Sequence, residues 1–389
     1  MASYISSNDN RLYAAVETSY GQVPTPAAGN RIPALQLTAR QRTEKAVRRD
    51  KTGSRTFAGD PSGLRRSTEF ALKTYMTGWS DQTREPAYGP LFQACMGPSA
   101  RMWAGGVIAS ASAGGRVAFT AAHSLHYGQA IVVGGEIRFV ASVLDAQTIQ
   151  LNAPFTGTPA GNISALPSAT YAPGPDLPSA TIFDYWSPAS ALQRVLTGAA
   201  INEMRVSVNG DFHEFEFSGE AADILDSQSF ESGQSGLSAF PQEPASQLNY
   251  SIIPGHLGQV WIGTAATQFS TVTKATLTFN NGLDLRSREF GTMLARGISP
   301  GIRDVSMELS LYQQDDSATQ SLYQAARNRS PVSVLLQLGQ QPGQLFGIYM
   351  PAVALEVPEF DDSDKRQQWH FVNCRAQGGV DDELFVAFG

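Results

Sequence analysis

Cysteine, lysine and long apolar runs are all scarce in this chain, and each shortage removes a class of protein. The 389 residues hold two cysteines, Cys95 and Cys374, which make neither a disulfide framework nor a zinc site. Both are expected as reduced core thiols. No stretch approaches the ~20 apolar residues that cross a bilayer as a helix. The opening MASYISSNDNRLYAAVE lacks a basic-then-apolar leader, so nothing points to secretion, and the sequons at Asn162 and Asn328 carry no weight. Charged residues make up 16%, below the usual quarter, as when partners cover much of a surface.

Catalytic signatures are missing too. There is no GxxxxGK[ST] phosphate loop, GxSxG elbow, HExxH helix or CxxC pair. His123 and His126 lack a nearby third ligand. His213 stands beside Glu214 and Glu216, whose alternation puts both carboxylates on one strand face, where solvation explains them. Asp315-Asp316 reads as a helix cap. Asp361-Asp362-x-Asp364 lacks the Gly and terminal Glu of a calcium loop and reads as a turn. The expectation is a protein that is not an enzyme and takes no metal and no cofactor.

What is present favours a mainly β architecture. Hydrophobic residues reach 42%, enough for a sizeable core, and the length allows two domains, or three if one is small. Gly and Pro together make about 15%, which suits short strands joined by turns. Charge is unevenly spread. Between Arg40 and Arg66 nine basic residues face three acids, a surplus of six that leaves the rest at −13 within a net −7. Aromatic residues are nearly absent from that stretch, so base stacking is disfavoured and an arm meeting another subunit's acidic face fits better. Arginines outnumber lysines 23 to five, and the planar guanidinium suits fixed protein–protein ion pairs.

Along the chain, alternation predicts strands at Leu35–Arg40 and Arg65–Met76, with a long basic loop at 41–63 between them. Pro90–Met96 reads as a helix with proline in its first turn. Residues 97–176 are rich in Gly, Ala, Ser and Pro, with strands at Val117–Thr120, Ala130–Val133, Glu136–Leu144 and Thr148–Leu151 and a hairpin turn at Gly134-Gly135. Further strands are predicted at Ala180–Tyr185, Gln193–Thr197, Glu203–Val208 and Asp211–Ser218, the last two flanking an Asn209-Gly210 tight turn. Residues 221–257 read as a linker. Beyond it come Gln259–Gly263, Thr271–Phe279, Arg303–Tyr312, a helix over Ala318–Arg329 capped by Asp316 or Ser317, then Val332–Leu338, Leu345–Met350, Val353–Val357 and Gln368–Arg375.

Two distant stretches run in the same order. Leu91-Phe92-Gln93-Ala94-Cys95 parallels Leu322-Tyr323-Gln324-Ala325-Ala326. The strands before them match at Leu72 with Leu309 and Tyr75 with Tyr312. Before those come arginine-bearing loops, 41–63 and 281–301. Afterwards Ser179–Phe183 parallels Pro331–Leu335, Gln193–Thr197 parallels Gln344–Gly347, Ile201–Val208 parallels Met350–Val357, and His213–Ser218 parallels Trp369–Cys374. A duplication interrupted by residues 97–176 is expected, against the alternative of two unrelated β domains.

The C-terminal half, from KATLTFNNGLDL (274–285) through IRDVSMELSLYQQDDSATQSLYQAA and PVSVLLQLG to WHFVNCRAQGG, resembles bacteriophage tail tube proteins, as do NRLYAAVETSYG (10–21) and INEMRVSVNGDFHEFEFSGE (201–220). The resemblance implies two tandem β-sandwich or barrel tail-tube-like domains, each with one short helix, plus a small inserted β module. The divisions are 1–96 with 177–220, an outward module at 97–176, a linker at 221–257, and 258–389. It further implies a virion protein of the siphophage type, assembled in the bacterial cytoplasm. Copies would form a homo-oligomeric ring, trimeric in preference to hexameric, stacked into a tube through which phage DNA passes without specific binding. Tape-measure, terminator and tail-tip proteins are its implied partners, with no membrane insertion. Inter-ring or inter-subunit contacts are expected from Arg48, Arg49, Lys51 and Arg55 and from Arg286, Arg288 and Arg296, meeting Asp361, Asp362 and Asp364, with Asp381, Asp382 and Glu383 as further acids. A β-sandwich virion decoration that binds a receptor or carbohydrate is the alternative.

Overall fold

The computed structural model describes residues 4–45, 49–57, 59–159, 161–186, 192–245, 251–363 and 365–389. The main strands are β1 (Asn10–Val16), β2 (Ala34–Thr43), β3 (Arg66–Tyr75), β4 (Ala180–Trp186), β5 (Arg194–Val208), β6 (Glu214–Ala221), β7 (Gly258–Gly263), β8 (Val272–Asn280), β9 (Asp304–Tyr312), β10 (Val332–Leu338), β11 (Phe346–Ala354), β12 (Glu359–Asp361), β13 (Gln368–Gln377) and β14 (Phe385–Phe388). Two helices accompany them, α1 (Gly89–Met96) and α2 (Ser317–Asn328).

The first half pairs antiparallel in the order β1–β4–β5–β6–β3–β2. The second repeats that order as β7–β10–β11/β12–β13–β9–β8. Irregularities recur at matching places. The β2–β3 ladder shifts between Ala34 and Gln36, and the β8–β9 ladder between Val272 and Lys274. The β4–β5 ladder shifts after Ala180, and the β10–β11 ladder after Val332. A bulge is a local backbone feature with its own conformational requirement, so its recurrence is a stronger sign of duplication than shared apolar residues.

This ladder corrects part of the sequence alignment. Gln193–Thr197 and Glu203–Val208 are one strand, β5, and its counterpart of Leu196 is Met350, because Leu196 faces Ile182 as Met350 faces Val334. Ile201–Val208 therefore does not parallel Met350–Val357. The error has a physical source: Val195 to Ile201 is buried continuously, so no alternation reveals its register. Likewise Glu214 and Gln368 are equivalent, facing Tyr75 and Tyr312, so the counterpart of His213–Ser218 begins at Gln367, two residues before Trp369–Cys374. A slip of two keeps every side chain on its own face, which is why the pattern still matched. The Asn209-Gly210 turn is also longer than the two residues expected. Ser207 pairs with Glu214, and Phe212 bridges to Pro254 instead.

The helices form for different reasons. In α1 Pro90 sits in the first turn and six of its residues are buried, so it is a core peg. In α2 only Thr319, Leu322 and Ala326 are buried; the Asp316 carboxylate accepts from the Thr319 amide at 2.6 Å, and Arg329 ends it in the left-handed region. Phe92 of α1 packs on Phe215 and Phe217 of its own half and on Phe346 and Phe388 of the other. Both halves thus share one core.

Residues Gly106–Ala165 contribute a separate six-stranded sheet with its own apolar cluster, including Ile108, Val117, Val140 and Ile149. Gly134 and Gly135 both take positive φ in its hairpin, as the turn requires. The flanking strands Arg101–Trp103 and Ser168–Tyr171 pair with each other, and the latter also with β14, inside the large sheet. Arg138 pins this sheet to the second half. It is fully buried and donates to Gln337 Oε1 at 3.1 Å, Gln259 Oε1 at 3.0 Å and Pro154 O at 2.8 Å, pairs with Glu136, and lies over the Trp261 ring. Burial pulls its guanidinium down to about 10, against the opposing pull of Glu136. Residues 221–245 lie against the first half: Asp223–Asp226 pairs with β5, Phe240 packs by the Tyr13–Tyr185 cluster, and Glu243 accepts from Arg11 at 2.7 Å.

Candidate functional site

The two halves join through a strand pair. β5 meets β8 from Glu203 opposite Asn280 to Val208 opposite Ala275. The buried Asn281 side chain reinforces this joint, donating to Cys95 O at 2.8 Å, at the end of α1, and to Ile201 O at 3.1 Å. Leu283 N donates to Asn202 Oδ1 at 2.8 Å.

Just past β8 the second arginine loop meets the first. Arg65 donates to the carbonyls of Arg288 and Glu289, and the Arg66 amide to Met293 O at 3.0 Å. Arg288 lies 3.6 Å from Glu44, Arg286 pairs with Glu289, and Arg296 lies 4.0 Å from Glu289. The loops therefore form one cluster in which Arg286, Arg288 and Arg296 already have acidic neighbours. Arg49, Lys51 and Arg55 are exposed. Arg48 lies outside the described residues, as does Asp364.

The acids divide into two groups. Asp361 is half-buried, and the Ser363 hydroxyl, then the Ser363 amide donating at 2.9 Å and His370, hold its carboxyl below the usual range; Asp362 is exposed. Gln368, just after them, pairs with Tyr312, whereas Arg375 pairs with Ser306 beside the arginine loops. Asp361 and Asp362 thus sit at the opposite end of the ladder from those loops. Asp381 and Glu383 are occupied within the chain by Arg303, at 2.9 Å for Glu383.

One constellation has no signature in the sequence, because its members are far apart in the chain. Ser310 Oγ lies 2.8 Å from His370 Nδ1, and His370 Nε2 lies 3.4 Å from Asp361 Oδ2. It has the composition of a catalytic triad, with Nδ1 of the imidazole toward the serine and Nε2 toward the carboxylate. Ser310 and His370 are directly opposed ladder partners, so their contact is a cross-strand pair. The contact to Asp361 is longer than an ordinary hydrogen bond. Two other histidines, His123 and His213, have structural roles. His123 accepts from Leu125 N at 2.9 Å and its other nitrogen meets Asp145 O, and His213 is buried against Leu257 O at 3.1 Å. Both cysteines are buried thiols. Among the described residues no group of three metal-ligating side chains converges, and no helix is long and apolar enough to cross a membrane.

Repeated ladders, a strand-built joint and ionic loops define a mainly β protein of two equivalent halves. The family can be stated: a profile described as phage tail tube protein matches residues 7–365, so the chain belongs to the phage tail tube protein family and is a structural component of the virion tail. No curated protein matches it.

Proposed function

We propose that copies of this chain close into a ring of three, each supplying two similar sheets, and that rings stack into the tail tube through which phage DNA is ejected. The observation that carries this is the repeated ladder. One chain already contains two equivalent units joined edge to edge, so three chains offer six positions around an axis. Pairing neighbours' edges removes exposed sheet edges, as a closed barrel does.

Stacking draws on the two ends of the ladder. Arg49, Lys51 and Arg55, with Arg48, Arg286, Arg288 and Arg296 around them, would face Asp361, Asp362 and Asp364 of the next ring. Exposed ion pairs contribute ~0–1 kcal/mol each, so they set register while apolar burial supplies affinity. The acidic remainder of the chain would let DNA slide, since a basic wall would hold phosphates. In this reading 1–96 with 177–220 forms one unit, 258–389 the second, 221–257 joins them, and 97–176 sits outside the tube. Tape-measure, terminator and tail-tip proteins would complete the tail, built in the host cytoplasm. Electron microscopy of the purified protein tests it: stacked rings support the reading, and a tail whose tube lacks this chain refutes it. Native mass spectrometry of rings separates three copies from six.

A further inference from the structure

We propose that the free edge of β2 in one copy pairs with β12 of the next in the register of the internal β5–β8 joint, setting Phe360 opposite Ala39 and Glu359 opposite Arg40. The inference rests on the ring reading above and specifies the contact that would build it.

The register follows from two equivalences. Leu37 faces Leu72 as Ala275 faces Leu309, so Ala39 and Arg40 hold the places of Leu277 and Thr278. Glu359, Phe360 and Asp361 face His370, Trp369 and Gln368 as Arg205, Val206 and Ser207 face Glu216, Phe215 and Glu214. Internally Arg205 faces Thr278 and Val206 faces Leu277. Transferred to two copies, these rungs become Glu359 with Arg40 and Phe360 with Ala39.

The two edges are open and complementary. Among the described residues β2 pairs only with β3, and β12 only with β13. Val206 and Leu277 are fully buried against each other's strand, whereas Phe360 is 53% exposed and Ala39 only partly buried. Phe360 already rests on the Tyr323 and Trp369 rings, which hold it at the edge. A large side chain on β12 against a small one on β2 restores the volume of the internal Val–Leu rung. Charge agrees: β2 carries exposed Arg40 and Arg42, and β12 carries Glu359 and Asp361. The same charges oppose β2–β2 and β12–β12 pairing, so only the head-to-tail contact is favoured.

The test is disulfide trapping in the full-length chain with Ala39→Cys and Phe360→Cys. Opposed antiparallel residues lie ~4.5–5.5 Å apart at Cα, within disulfide reach. Cys95 and Cys374 are buried and stay out of the exchange. Mild oxidation should give covalent multimers on a non-reducing gel, at least tenfold more than Thr43→Cys with Phe360→Cys, four residues out of register. Tubes without the 39–360 link, or equal trapping at 43–360, overturn the pairing and leave the tube reading intact. Trapped multimers without rings or tubes uphold the pairing and sink the tube. Absence of both overturns both. A second measurement avoids cysteine: Glu359→Arg alone and Arg40→Glu alone should each suppress assembly, and the double variant should restore it. No rescue counts against the register.

Discussion

Val206 and Phe360 occupy the same rung in the two halves, and only one of them is covered. Each is paired on one side, Val206 by Phe215 and Phe360 by Trp369; on the other side Leu277 covers Val206, whereas among the described residues no strand covers Phe360. Truncating them should therefore have different consequences. Val206→Ala should destabilise the monomer by about 1–3 kcal/mol, as buried deletions do. Phe360→Ser should cost the monomer less, about 1 kcal/mol for its contacts with Tyr323 and Trp369, and abolish higher assembly. Urea melts paired with light scattering separate the two effects.

Arg138 adds a buried ionic anchor to the apolar contact between the inserted sheet and the second half. Arg138→Ala should cost about 3–5 kcal/mol, since it removes the counter-charge of the largely buried Glu136 and empties the space over the Trp261 ring. Arg138→Met, which keeps much of the packing over Trp261, should cost less. Calorimetry of both variants checks the order.

His213 makes stability depend on pH. Burial lowers its pKa below the ordinary 6.5, with the nearby His256 adding to the shift. A group depressed on folding binds its proton more readily when unfolded. Its contribution is therefore full above about pH 6.5 and declines as pH falls toward the folded value, by at most ~1.4 kcal/mol per pH unit. His213→Gln should flatten the fall in melting temperature between about pH 7.5 and pH 5.5.

The thiols should be silent. Burial raises Cys374 to about 11 and pushes Cys95 higher still, despite the Asn281 contact. A disulfide reagent at neutral pH should label neither until the chain is denatured, when it should label both.

Reversing Arg49, Lys51 and Arg55 to Glu should leave the melting curve unchanged and raise the concentration needed for tube growth roughly tenfold, given ~0–1 kcal/mol per exposed pair. Added salt should narrow the difference. Sedimentation across protein concentrations measures it.

Much of the fold was legible because alternation and caps are local signals. Ala130–Val133 and Thr148–Leu151 fell where expected, and Asp316 declared its helix. Strands buried on both faces were harder: β5 was split in two, and β14, an unbroken apolar FVAF, passed unread. The arginine loops were visible as composition, but not that they touch each other and consume Glu44 and Glu289. The joint was hidden altogether, because β5–β8 pairing links residues some seventy positions apart, and the open edge of β12 has meaning only once that joint is seen.

The central claim is a ring built from equivalent halves, and cryo-electron microscopy of the assembled tube without imposed symmetry tests it most directly. The account predicts three chains per ring, with β2 of each beside β12 of its neighbour as β8 lies beside β5 within a chain. Six chains per ring, or a contact through any other pair of strands, would contradict it.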